Sequence, residues 1–182
     1  MKIKNKGITV TGLMRQSAKY NANRISIVAG DRRLTYAEAW NRGVRLANGF
    51  LSMGLSPGDR VAVLEDNSIE AQDFFLGSAI AGLVRVPLYA RNSVESHAHM
   101  INQTGARAVI LSKKYESELR EALAETKTVN NLIVRDEGYE DWLNGFSEVE
   151  SSIYIDPDDW YIIRHTGGTT GKAKGVAYSH KT

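Results

Sequence analysis

One short segment near the C-terminus combines residue types that together could bind a chain of phosphate groups. Between Thr166 and Gly175 lie four glycines, three threonines and two lysines. Because glycine lacks a Cβ atom, the backbone amides of such a loop can turn inward and come close to an anion. Threonine hydroxyls can donate further hydrogen bonds, and lysine ammonium groups can offset phosphate charge. The segment predicts a polyphosphate-binding loop, against the alternative of a flexible hairpin loop with incidental lysines.

Two other nucleotide-binding motifs fit this segment poorly. The Walker A motif needs a glycine, four residues, and then Gly-Lys-Ser/Thr before a helix. Here Gly171-Lys172 is followed by Ala173, and the sequence from Gly175 onward favours a strand. The GxGxxG spacing of dinucleotide-binding folds is absent as well. A P-loop NTPase and a Rossmann domain are therefore disfavoured.

The segments that must position this loop alternate between strand-like and helix-like patterns. Strands are predicted at 25–29, 60–64, 84–88, 106–111, 132–134, 158–164 and 175–178, and helices at 35–50, 67–81, 92–103 and 115–127. The helix at 67–81 is rich in small residues, which predicts close packing on a sheet. The whole pattern predicts an α/β fold, an open and mostly parallel sheet flanked by helices, with the phosphate loop between its last two strands.

The sequence also predicts where several helices start and end, and which aromatic residues anchor the core. Capping-box spacing predicts three helix starts: Thr35 with Glu38, Asn67 with Glu70, and Asn92 with Glu95. Glycines 54 and 82 are predicted helix ends. The acidic stretch 135–156 receives no assignment beyond Trp142 and Phe146 as anchors, and Trp40, Trp142 and Trp160 are predicted core or subdomain anchors.

Composition excludes several classes of function. The 182 residues contain no cysteine, which excludes disulfides, thiolate metal sites and a cysteine nucleophile. A net charge of +2 gives no broad positive field, so neither nucleic-acid binding nor membrane-surface binding is predicted. No apolar run approaches the roughly 20 residues of a membrane span. We predict a soluble, cytoplasmic protein.

The four histidines are assigned no catalytic role by their spacing. His97 and His99 lie two apart on a predicted helix and so do not share a face, which disfavours a metal pair. His165 precedes the loop and His180 follows it. Packing or solvated roles are favoured for both, with a direct contact to substrate kept as the alternative.

The loop closely resembles the phosphate-loop signature of AMP-forming acyl-activating enzymes, the superfamily of acyl-CoA synthetases, adenylation domains and luciferases. That signature reads Ser/Thr, Ser/Gly, Gly, Ser/Thr, Thr, Gly, any residue, Pro, Lys, Gly. One position departs, because Ala173 stands where proline is usual, and a lost proline leaves the backbone less rigid. Segments 34–64, 66–88 and 101–112 resemble the family in the expected order, so the resemblance covers about 13–182.

The resemblance implies the N-terminal part of an AMP-binding, adenylate-forming domain at 1–182, most like a fatty acyl-CoA synthetase. Members use ATP and Mg2+ to join a carboxylic acid to AMP, and then pass the acyl group to coenzyme A or to a carrier protein. By resemblance, the β- and γ-phosphates would be held by Thr166, Gly167, Gly168, Thr169, Thr170, Gly171, Lys172 and Lys174. Lys174 occupies the lysine position of the signature, whereas Lys172 occupies a variable one.

The remainder of that domain and the C-terminal lid domain are expected to lie beyond this chain. The adenine, ribose, Mg2+ and catalytic-lysine motifs of the family would go with them. No catalytic residue and no metal ligand is therefore assigned, and the chain alone is expected not to catalyse adenylation.

Two alternative functions stay open: an adenylation domain that loads a carrier protein, and a non-catalytic nucleotide- or partner-binding α/β module. The substrate is also open between a fatty acid and an aryl acid. A homo-dimer is a further hypothesis, because a sheet expected to continue beyond the chain would leave an unpaired edge or apolar surface.

Overall fold

Helices and strands alternate along residues 8–167 and 172–181, which the computed structural model of the chain describes. The helices are α1 Val10–Tyr20, α2 Tyr36–Ser52, α3 Ile69–Ile80, α4 Val94–Thr104, α5 Glu116–Ala124 and α6 Tyr139–Asn144. The strands are β1 Ile25–Ala29, β2 Arg32–Thr35, β3 Arg60–Leu64, β4 Val84–Pro87, β5 Ala108–Ser112, β6 Asn131–Arg135, β7 Trp160–His165 and β8 Gly175–Ser179.

The main sheet has the strand order β6-β5-β3-β4-β7-β8. Neighbouring strands in it are parallel except β8, which runs antiparallel to β7. Strands β1 and β2 form a separate antiparallel hairpin. The predicted α/β fold, with a loop between two strands near the C-terminus, is confirmed.

Helices cover the main sheet on both faces, as the alternation of side chains along β3 shows. Val61 and Val63 belong to a core formed with α2, α3 and α6, whereas Ala62 and Leu64 belong to a second core formed with α4 and α5. Successive side chains of a strand point to opposite faces, so one short apolar strand serves both cores.

The predicted capping box is confirmed at α2, where Thr35 and Glu38 each accept from the other residue's backbone amide. The starts of the next two helices were predicted one residue too early. Ser68 caps α3 and Ser93 caps α4, each by accepting from the amide three residues on. Asparagine and serine are equally good N-caps, so an adjacent pair of them leaves the choice to tertiary packing.

Two α-helices and one strand were not predicted: α1, α6 and β2. Helix α6 lies in the unassigned acidic stretch, where Trp142 packs on the core and makes an edge contact with Phe146, with ring centroids 5.0 Å apart. The prediction of Trp160 as a core anchor is wrong, because its residue surface is 56% exposed. Glycines 54 and 82 follow α2 and α3 with positive φ, as predicted for helix ends.

Helices α2 and α3 approach each other at two glycines. A Cβ atom added at Gly43 would lie 2.5 Å from Cβ of Leu76, and one added at Gly77 would lie 2.7 Å from Cγ of Leu46. The small residue Gly77 therefore packs against α2, where the sequence predicted contact with a sheet.

A partly buried ionic network joins these two helices to α6. Asp73, 1% exposed, accepts from Arg42 Nε at 2.8 Å and from Arg42 Nη2 at 2.6 Å. Arg42 Nη1 also donates to Glu140 at 2.7 Å, and the Tyr139 hydroxyl donates to Asp73 at 3.3 Å. Burial raises the pKa of Asp73 to about 6 against the opposing pull of the Arg42 charge.

Candidate functional site

The loop predicted to bind phosphate connects β7 to β8. These strands pair in register from His165 opposite Gly175, and the Thr166 amide donates to the Lys174 carbonyl at 2.9 Å just beyond that pair. The β-ladder therefore closes the base of the loop and holds its two ends side by side.

Four of the eight predicted phosphate-binding residues are described. Thr166, Gly167, Lys172 and Lys174 are exposed around one end of the β7–β8 hairpin. The other four, Gly168, Thr169, Thr170 and Gly171, lie outside the described residues.

Helix α4 lies against this loop and contacts both of its ends. His99 Nε2 lies 3.0 Å from the carbonyl oxygen of Ala173. His165 Nε2 lies 3.0 Å from Oε1 of Gln103, one helical turn further along α4. The Tyr89 hydroxyl, from the segment between β4 and α4, donates to the carbonyl of His165 at 3.3 Å.

A cavity of about 380 Å3 separates the loop from the start of α4. Most of the described residues that line it have polar side chains; they are Tyr89, Asn92, Glu95, Ser96, His99, His165, Thr166, Gly167, Lys172 and Ala173. The cavity therefore brings the predicted residues Thr166, Gly167 and Lys172 to one opening. It does not include the predicted residue Lys174.

The electrostatics of this opening favour an anion next to the loop. Lys172 lines the opening and Lys174 lies nearby, both exposed to solvent. His165 is buried, and its burial together with the neighbouring His99 lowers its pKa below 6.5. Among the described residues, Glu95 is the one carboxylate in the lining of the cavity, on the side of α4.

The predictions missed His99, Gln103 and Tyr89 as neighbours of the loop. The sequence did contain one signal: His99 and Gln103 are four apart, and residues at that spacing on a helix share a face. That spacing could not say which distant segment the face would meet.

The other two histidines are buried away from the opening. His97 Nε2 lies 3.0 Å from the carbonyl of Tyr89. The His180 ring lies against Tyr161, with centroids 5.5 Å apart, and burial lowers its pKa.

No group of three or more potential metal ligands occurs in the described ranges 8–167 and 172–181. Within the same ranges, none of the helices has the length and apolar character needed to cross a membrane.

Comparison with known proteins shows which family has this fold and loop. The family model for the AMP-binding enzyme matches residues 14–182. The chain belongs to the AMP-binding enzyme family.

Two relatives of known name are acid ligases. The chain is 32% identical over 155 residues to the long-chain-fatty-acid–CoA ligase FadD13 of Mycobacterium tuberculosis, a match that covers 84% of this chain and 31% of the relative. It is 25% identical over 166 residues to the fatty acid–[acyl-carrier-protein] ligase ScoC of Streptomyces coeruleorubidus, which covers 91% of this chain and 32% of the relative. This AMP-binding chain thus spans about a third of the length of these relatives.

A solved structure shows the same architecture. The inhibitor-bound N-terminal domain of FACL13 from Mycobacterium tuberculosis superposes with a TM-score of 0.89 at 28% identity, over 96% of this chain and 45% of that domain. The α/β fold of this AMP-binding chain is therefore that of an acyl-CoA synthetase N-terminal domain.

Proposed function

We propose that this chain supplies the phosphate-binding part of an ATP-dependent acid–thiol ligase. The observation that carries the proposal is the loop from Thr166 to Lys174, which is closed at its base by β7–β8 pairing and opens on a polar cavity with Lys172 at its rim. Residues 1–182 would form the N-terminal part of an adenylate-forming domain, in keeping with relatives about three times as long.

The reaction brings a carboxylate and ATP together, and both carry negative charge. A carboxylate attacks the α-phosphorus of ATP, a new acyl–phosphate bond forms, and pyrophosphate leaves with the electrons of the broken bond. Both reactants are anions, so donors and cations must already be in place around the leaving pyrophosphate. In this proposal the amides and hydroxyls of 166–171 hold the β- and γ-phosphates, and Lys172 and Lys174 add positive charge.

The described residues fit the tail of ATP and form no metal-binding cluster of their own. Thr166 is exposed, and a Cβ atom added at its neighbour Gly167 would meet nothing within 4 Å, which leaves room for close backbone approach. Among the described residues Glu95 alone lines the cavity with a carboxylate, and because Mg2+ at a nucleotide is held mainly by phosphates, waters and one or two carboxylates, this lining by itself builds no metal site. The proposal therefore assigns ATP phosphates to this loop and assigns Mg2+ and coenzyme A to no residue of the described chain.

The acid is proposed to be a fatty acid and the acceptor to be coenzyme A, on the strength of the FadD13 match. The ScoC match favours an acyl-carrier protein as the alternative acceptor. A cytoplasmic location stays a prediction.

Self-association is a secondary part of the proposal. Strand β8 is the last strand of the main sheet, and Val176 and Tyr178 on it are 43% and 38% exposed. An apolar strand at a sheet edge can pair with a second copy. Light scattering across micromolar concentrations tests this, with a rising mass expected and a constant monomer mass counting against it.

Titration calorimetry on the 182-residue chain tests the phosphate-binding proposal. We expect saturable binding of inorganic pyrophosphate and of ATP. Replacing both loop threonines, Thr169→Ala with Thr170→Ala, should weaken pyrophosphate binding at least about tenfold, because hydrogen bonds to a charged ligand are removed. Binding that the double variant leaves unchanged would remove the loop assignment.

Two activity assays separate the alternatives. Exchange of labelled pyrophosphate into ATP, with a panel of carboxylic acids, should be absent for this chain, since no catalytic residue is assigned to it. Strong exchange would show that the chain is catalytically complete. Steady hydrolysis of ATP to ADP would instead support an ordinary NTPase.

A further inference from the structure

The phosphate loop is tied to helix α4 by one side chain near each of its ends. At the far end, His99 Nε2 lies 3.0 Å from the carbonyl oxygen of Ala173. At the near end, His165 Nε2 lies 3.0 Å from Oε1 of Gln103. His99 and Gln103 are four residues apart, so they project from the same face of α4. A single rigid helix therefore contacts both ends of one loop.

The direction of both hydrogen bonds follows from the acceptors. A peptide carbonyl and the amide oxygen of Gln103 have no proton to donate, so each imidazole donates from Nε2–H. A neutral imidazole with its proton on Nε2 meets this need. The His165 ring is buried, and its lowered pKa is consistent with that neutral form.

Tight packing fixes the near end further. A Cβ atom added at Gly175, opposite His165 in the ladder, would lie 2.8 Å from Cγ2 of Ile163. The same atom would lie 3.6 Å from both Oε1 of Gln103 and Nε2 of His165. The tight contact therefore lies within the β7–β8 hairpin, and the β8 backbone at Gly175 is in ordinary van der Waals contact with Gln103 of α4.

The far end, at Ala173, lies just inside the backbone hydrogen bond from the Thr166 amide to the Lys174 carbonyl. Ala173 has no ring to fix its φ, whereas a proline at this position would fix it. The contact to His99 is made by this same residue. A hydrogen bond from a helix would thus restrict the segment that carries Lys172 and Lys174.

We infer that α4 clamps the phosphate loop at two points, with His99 and Gln103 as positioning residues that hold its ends at the separation needed to receive phosphate groups. The inference rests on the proposed function of the loop. Neither residue needs to touch the phosphates, since both act through loop residues, His99 on Ala173 and Gln103 on His165.

Two measurements on the 182-residue chain test the clamp. The first is amide hydrogen exchange without ligand, read at Thr166 and Lys174, which form the closing pair of the loop. The second is calorimetric titration with inorganic pyrophosphate. His99→Ala should speed exchange at both amides and weaken pyrophosphate binding about 3- to 10-fold, the range expected for one lost hydrogen bond. Gln103→Leu should also speed exchange at the Thr166 amide and weaken pyrophosphate binding.

Rescue separates positioning from a general structural role. Adding Ala173→Pro to His99→Ala should restore slow exchange and bring the affinity back to within about twofold of the wild type, because the ring restricts the backbone that His99 restrained. Asn102→Ala is the matched control. Asn102 lies on the same helix and donates to a backbone carbonyl, that of Glu125, at 2.9 Å, so both readouts should stay at wild-type values.

The outcomes distinguish the clamp from the proposed function. Unchanged exchange and affinity in His99→Ala would overturn the clamp, and so would a loss that Ala173→Pro does not restore. If the wild-type chain fails to bind pyrophosphate, the proposed function fails, while hydrogen exchange still decides whether α4 holds the loop.

Discussion

The two faces of the main sheet are built on different principles. On the face covered by α2, α3 and α6, glycines bring helices into contact and a partly buried network joins Arg42, Asp73 and Glu140. On the other face, beyond the core of α4 and α5, α4 meets the phosphate loop across a polar cavity through two side-chain contacts. The first face holds the fold together, and the second leaves polar groups open to a ligand. Substitutions on the first should change stability, and substitutions at the loop should change binding.

The largest expected effect is on the ionic network. Arg42→Met leaves Asp73 as a buried carboxylate without its cation, so the free energy of unfolding should fall by about 3–5 kcal/mol. Denaturant unfolding measures this loss. Arg120→Met is the control, because Arg120 is 59% exposed and pairs with Glu116 on the surface of α5. It should change stability by about 0.5 kcal/mol or less. Equal effects of the two substitutions would contradict the contrast between the faces.

The contact between α2 and α3 gives the next largest effect. Gly43→Ala places a methyl group 2.5 Å from Cβ of Leu76, which forces the helices apart. Overpacking of this kind should lower stability by about 1–3 kcal/mol, even though alanine is the better helix former. Gly54→Ala tests backbone strain instead of overpacking, since a methyl group at Gly54 would have open space but the residue has a positive φ of 80°. A stabilised Gly43→Ala variant in thermal unfolding would show that the helices are not in tight contact.

The sequence could predict features that depend on neighbours in the chain. The strand at 60–64, the Thr35 capping box and the loop between β7 and β8 all follow from residues a few positions apart. The Arg42 contacts with Asp73 and Glu140 join positions 31 and 98 residues apart, so no local pattern predicts them. The His99 contact to Ala173 spans 74 residues and depends on how α4 lies across the sheet edge.

Acid should weaken the fold through the buried histidines. The folded pKa values of His165 and His180 lie below the ordinary 6.5, because burial disfavours the charged ring. The unfolded chain then binds protons more readily, so this part of the stability is present above pH 6.5 and is lost as the pH falls below it.

Asp73 acts in the opposite sense. Its folded pKa of about 6 lies above the ordinary 3.8, so its charge is disfavoured and protonation between these values relieves that penalty.

Proton NMR titration of the His180 ring measures the histidine contribution directly. A midpoint below 6.5 is expected, and a midpoint above it would contradict the burial argument.

The smallest expected effect on stability belongs to the loop itself. Thr169→Ala with Thr170→Ala should leave the melting temperature within about 2 °C of the wild type, because the proposal gives these threonines a role in binding and none in the core, and substitutions of that kind usually change stability by less than 0.5 kcal/mol or so. The same double variant should lose pyrophosphate binding. A large fall in melting temperature would show that the loop is part of the structural core.

Mapping of pyrophosphate binding by amide chemical shifts tests the central claim most directly. Titration of the isotope-labelled 182-residue chain should shift amides within 166–174 and, through its contacts, the His99–Gln103 turn of α4. The amides around Arg42 and Asp73 should stay in place. Saturable shifts confined to another surface, or no shifts at millimolar pyrophosphate, would contradict the assignment of the phosphate-binding site.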